Sequence, residues 1–119
     1  MKVVVDSAEV TVRVSSRQTR RVAHSDNLMV VVWDFTNGPD REPDPFHAHP
    51  HEQVTCVVGG EVLFFIGEES RRLQPGDMVV VPPGRPHTIQ VLTPEVRLID
   101  AFTPLREEFL QAGSRTGGG

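Results

Sequence analysis

Runs of valine broken by proline and glycine dominate this sequence. Valine occurs 19 times, against 7 leucines and 5 alanines. Ten prolines and ten glycines cut those runs into short pieces. A β-branched side chain loses rotamer freedom in a helix but packs well on a pleated surface. Proline and glycine end a ladder, because one lacks a donor and the other lacks a side chain to pack. The chain is therefore all-β.

The pattern places alternating or apolar strands at 9–14, 27–35, 53–58, 61–66, Met78–Val81, 88–92 and Val96–Thr103. Gly59-Gly60 is a two-residue hairpin signal, and Gln74-Pro75-Gly76-Asp77 is a turn. Residues 67–70 read as another turn. Residues 37–45 hold three prolines, a glycine and two aspartates and must be a loop. The Pro82–Pro86 stretch cannot hold a ladder either. After Pro104, residues 105–111 can form one short helix, and 112–119 read as a flexible tail. Many short strands with regular turns mean a sandwich or barrel. At 119 residues there is room for one core, so residues 1–111 are expected to be a single domain.

The net charge of −4 argues against a nucleic-acid partner. No apolar run approaches the ~18 residues of a membrane span, and Met1–Val10 does not read as a signal peptide. The single cysteine, Cys56, allows no internal disulfide and points to a reducing, cytoplasmic setting.

Three of the five histidines fall within Phe46-His47-Ala48-His49-Pro50-His51-Glu52-Gln53. In an extended segment His47 and His49 point to one face, a bidentate clamp for a borderline transition metal. Gln53 shares their parity and Glu52 does not. Pro50 can disturb the alternation, which leaves Glu52 as the alternative fourth ligand. His87 lies 38 residues beyond His49, so only the fold can bring it to the pair. His51 has the same parity and can be a further donor, a neighbour of the ligands or a rim residue. Cys56 has the opposite parity and should face away. His24, isolated, is expected to be incidental. Trp33, Phe35, Phe64 and Phe65 read as core or dimer interface. Arg20-Arg21 and Arg71-Arg72 read as solvated faces.

The order and spacing of these residues resemble the cupin superfamily. His47, His49, Gln53 and Gly60 carry its first motif; Gly76, Pro82, Gly84 and His87 carry the second. The resemblance implies a double-stranded β-helix, the jelly-roll barrel, holding one divalent metal ion (Zn, Ni, Mn, Fe or Cu) through His47, His49, Gln53 and His87. It also implies a homodimer, since the apolar N-terminal strands otherwise leave exposed edges. Three positions depart from the motifs: Gln53 replaces a glutamate, Val91 an asparagine and Arg41 a glycine. With an amide in place of a carboxylate the site keeps its positive charge, which favours an anionic ligand.

Asp100 stands in an otherwise apolar strand, on one face with Leu98 and Phe102. A carboxylate there must be exposed, paired or functional. The plainer reading pairs it with an arginine at the rim; the functional one aims it into the cavity, held by Arg106. Asp100, Phe102 and Arg106 resemble the C-terminal signature of the small cupins that open unsaturated uronates in pectin and alginate breakdown. That likeness implies Asp100 and Arg106 as catalytic, with Phe102, Arg85 and His51 as substrate contacts. A metal-dependent dioxygenase and a non-catalytic small-molecule-binding cupin are the alternatives.

Overall fold

The structure is a computed structural model and describes residues 1–110. The expected tail, 112–119, lies outside the described residues. Nine strands form: β1 (Val12–Ser15), β2 (Gln18–His24), β3 (Met29–Phe35), β4 (Glu52–Gly59), β5 (Val62–Ile66), β6 (Glu69–Leu73), β7 (Met78–Val81), β8 (His87–Val91) and β9 (Val96–Thr103). One four-residue turn of helix, α1 (Glu107–Leu110), follows. Two antiparallel sheets result, ordered β1-β2-β3-β9-β4-β7 and β6-β5-β8. This is the jelly-roll barrel of the cupins, with one short C-terminal helix.

Two strands are absent from the sequence reading. β2 is Gln-Thr-Arg-Arg-Val-Ala-His, and β6 is Glu-Ser-Arg-Arg-Leu. Neither carries a clear apolar alternation. Cross-strand hydrogen bonding to β3 and β5 makes them strands in spite of their composition. The expected turn at 67–70 shrinks accordingly, because β6 already begins at Glu69.

Period-two burial decides which residues reach the interior. Along β9, Val96, Leu98, Asp100 and Phe102 are buried; along β4, Gln53, Thr55 and Val57 are. Glu52 falls on the outer face and is exposed. The core forms two clusters. Phe35, Val57, Val62, Phe64 and Leu98 belong to one, and Met29, Val31, Phe102 and Phe109 to the other. The Gly59-Gly60 turn works because Gly60 sits at φ 74°, and a Cβ there would overlap the Glu95 carbonyl.

Arg20 is not solvated as its sequence suggests. It points inward from β2 with 8% of its surface exposed. Arg71 and Arg72 are exposed, Arg72 bonded to Glu61, whereas Arg21 is half-buried and bonded to Asp6. His24 is exposed and bonds only the Ser25 carbonyl. No helix among the described residues is long and apolar enough to cross a membrane.

Candidate metal centre and pocket

Main-chain bonds join the two sequence-remote halves of the histidine cluster. His47 N–H donates to the His87 carbonyl at 3.1 Å, and His87 N–H returns a bond to the His47 carbonyl at 2.9 Å. Gly84 N–H donates to the His49 carbonyl at 2.8 Å, which pins the proline-rich loop beside the first motif. The ring nitrogens of His47, His49 and His87 consequently lie within 4.8 Å of one another. Donors this close could hold one ion after small side-chain adjustments.

The donor chemistry fits a metal. His87 Nδ1–H donates to the Arg85 carbonyl at 2.8 Å, so its Nε2 carries the free lone pair. That Nε2 is buried and has no hydrogen-bond partner among the described residues. An unpartnered buried acceptor is costly, and a cation relieves the cost. His49 Nε2 lies 2.8 Å from Gln53 Oε1. The Gln53 amide is oriented by Thr55: the Thr55 hydroxyl donates to Asp100 Oδ1 at 2.5 Å, so it accepts from Gln53 Nε2 at 2.9 Å. Gln53 therefore presents its oxygen to the histidines.

Burial lowers the pKa of all three imidazoles. His47 is brought down to about 4, with His87, Arg106 and His49 adding repulsion and a bond to Pro45 opposing. For His49 and His87 burial again leads, opposed by the bonds to Gln53 and to the Arg85 carbonyl. Although His47 is exposed as a residue, its ring nitrogens face the cluster. Neutral imidazoles are the form that binds metal. Three ordinary imidazoles of pKa near 6.5 would weaken metal binding roughly 30-fold between pH 7 and pH 6. The lowered pKa values predict a change well short of that over the same range. Zinc affinity by competition titration at the two pH values checks this.

The histidines open onto a pocket of about 330 Å³ lined by His47, Gln53, His87, Asp100, Phe102 and Arg106, among others. A groove of about 360 Å³ between β6 and β7 holds none of the histidines and is unrelated to the cluster. Asp100 is buried and bonded at both oxygens: Oδ1 accepts from Thr55, and Oδ2 accepts from Trp33 Nε1 at 2.9 Å. Burial pushes its pKa up to about 6 against the pull of those bonds and of Arg106. The Arg106 hold on Asp100, one of the two expectations for this carboxylate, is not formed. Its guanidinium pairs with Glu108 and lies 5.2 Å above the Phe102 ring.

Two expected substrate contacts sit elsewhere. Arg85 is exposed with its guanidinium beside Gly67, outside the pocket lining. His51 packs edge-on against His49 and bonds the Leu105 carbonyl at 3.2 Å, tying down the segment before α1. Thr55 and Trp33, the partners of Asp100, were not singled out for this role from sequence. Thr55 shares the parity of Gln53, a signal that was there to use; the Trp33 contact depends on β3 pairing with β9.

A family model described as "Cupin domain" matches residues 33–102. The chain belongs to the cupin family. It is 33% identical over 90 residues to pectin degradation protein KdgF of Dickeya dadantii, covering 75% of this cupin and 79% of that protein. The solved structure of KdgF from Halomonas sp. superposes with a TM-score of 0.80 at 30% identity, over 91% of this chain and 99% of that one. A shorter segment of 44 residues is 48% identical to dimethylsulfoniopropionate lyase DddQ of Ruegeria pomeroyi, covering 36% of this chain but 22% of that enzyme. This cupin thus resembles the pectin degradation protein KdgF over most of both chains, and its histidine cluster could hold a metal.

Proposed function

We propose that this cupin is a metal-dependent enzyme that opens or ketonises a small unsaturated uronate. One observation carries the reading: a single pocket is lined by His47, His87, Gln53, a buried Asp100 and Arg106, with His49 clustered beside the other two histidines. Similarity to KdgF over most of both chains supports it.

His47, His49, His87 and Gln53 would hold one divalent ion, which when bound supplies Lewis acidity toward a substrate oxygen. Arg106 offers a planar fork to the uronate carboxylate, and Phe102 forms an apolar wall beneath it. Asp100 moves the proton of enol-to-keto conversion, taking it from the enol oxygen and delivering it to carbon. Its pKa near 6 keeps both protonation states accessible near neutral pH. The neutral Gln53 leaves the centre positive and selects for an anion. Metal-loaded protein incubated with a 4,5-unsaturated galacturonate monosaccharide should consume the enol ether, seen as falling ultraviolet absorbance. Unchanged absorbance over long incubation sinks the reading.

The DddQ segment favours a second reading, a lyase acting on a small carboxylate. There Asp100 would remove a proton from carbon beside the carboxylate that Arg106 holds. Release of dimethyl sulfide from dimethylsulfoniopropionate, with the uronate untouched, selects it.

The proposal includes a cytoplasmic homodimer. Met78 and Val80 on the edge strand β7 are 68% exposed, and Val54 and Val58 extend the same outer face of the large sheet. A second copy is the simplest cover for an apolar sheet edge of this kind. Light scattering should give a dimer, and Met78→Lys with Val80→Lys should give a folded monomer.

A further inference from the structure

Arg20 has no place in the chemistry above, yet its burial needs a physical reason. It is the one buried arginine among the described residues. Its Nε has no hydrogen-bond partner among them, and no ion pair there includes it. A guanidinium stripped of water with no hydrogen-bonded anion is costly unless something else compensates the charge. Glu108 favours the cation from nearby and Arg106 opposes it, and two aromatic faces complete the compensation. Its Cζ lies 4.7 Å from the Phe109 centroid and 5.7 Å from that of Trp33.

Those two rings are the supports of the two reactive side chains. Trp33 Nε1 holds Asp100 Oδ2. Phe109 also carries the Arg106 guanidinium, 4.4 Å from its centroid. The rings meet edge to face at 5.4 Å. α1 is a single turn and cannot hold its own shape. The seat of Phe109 between Trp33, Phe102 and Arg20 is what fixes that turn, and with it Arg106.

We propose that Arg20 is a positioning residue that sets Asp100 and Arg106 relative to each other through Trp33 and Phe109, from outside the pocket lining. Its planar cation spans both rings, which a lysine ammonium does less well. The proposal rests on the uronate reading for the choice of ligand probe, not for the geometry.

The chain has one tryptophan and no tyrosine, so its ultraviolet emission is that of Trp33. Full-length, metal-loaded Arg20→Met and Arg20→Lys are compared with the wild type by galacturonate titration and by acrylamide quenching of Trp33. Arg20→Met should raise the galacturonate Kd about tenfold and quench about twice as readily, with metal content unchanged; Arg20→Lys should fall between. A folded Arg20→Met that binds and quenches like the wild type overturns the proposal. If Arg20→Met does not fold, Arg20→Lys decides: a wild-type Kd and quenching there overturn it. If the wild type does not bind galacturonate, the uronate reading fails on its own, and a double-mutant comparison tests the positioning. Arg106→Met should then change Trp33 emission in the wild type but not beside Arg20→Met; equal changes in both backgrounds overturn it.

Discussion

Replacing His87 with alanine should strip the protein of its metal and lower turnover about a thousandfold. The ring supplies the one Nε2 that is buried, free of a proton and unpartnered among the described residues. Losing a Lewis acid removes several kcal/mol of transition-state stabilisation, and at 1.36 kcal/mol per tenfold that is about three orders of magnitude. The fold should survive, because His87 meets His47 through main-chain atoms that alanine retains. Elemental analysis of untagged protein reads the metal, and thermal melting reads the fold. Arg85→Ala is the control. Two residues away but exposed, it should keep both metal and turnover, since Arg85 meets the His87 ring through its main-chain carbonyl, which alanine retains. A His87→Ala protein that retains stoichiometric metal overturns the ligand assignment.

Asp100→Asn should lower turnover about 10²–10⁴-fold, the usual weight of a positioned acid–base group, while metal content holds. The amide can still accept from Trp33 and donate to Thr55, so the pocket wall stays in place. The same substitution should change the pH dependence of stability. In the folded chain burial raises the Asp100 pKa from 3.8 to about 6. A raised carboxyl pKa means the folded state binds the proton more tightly. That stabilisation is complete below about pH 3.8 and is lost as pH rises through about 6. Two units correspond to an upper bound of about 3 kcal/mol. Asparagine carries no such penalty, so its stability relative to wild type should improve between pH 4 and pH 7. The histidines titrate in both proteins, so the difference between the two curves isolates Asp100. Parallel curves for chelator-treated wild type and variant would show that Asp100 is not desolvated as described. Unchanged turnover would remove it from the mechanism.

Much of the site is legible in the sequence because strands have a period of two. Gln53 over Glu52, Cys56 away from the cluster, and Leu98, Asp100 and Phe102 on one face all follow from parity. The motif spacing adds His87, which parity cannot reach. Parity is silent about what lies across a sheet or on the far wall. Asp100 is held by Thr55 and Trp33 rather than by Arg106, because β9 is paired between β4 and β3. Arg106 turns to Glu108 two residues on, a contact closed locally by the α1 turn. Arg85 neighbours a ligand in sequence, yet the loop sends its side chain to Gly67.

Local alternation encodes an all-β barrel and turns Gln53 and Asp100 inward, while motif spacing and the family resemblance bring in His47, His49, His87 and Arg106 as the expected site. Tertiary pairing decided the rest. Antiparallel ladders recruited polar β2 and β6 as strands, turned Arg20 inward and placed it on the rings that support Asp100 and Arg106. The Trp33–Asp100 and Arg20–Phe109 contacts join residues 67 and 89 positions apart, and no periodicity in one segment encodes its partner across the barrel.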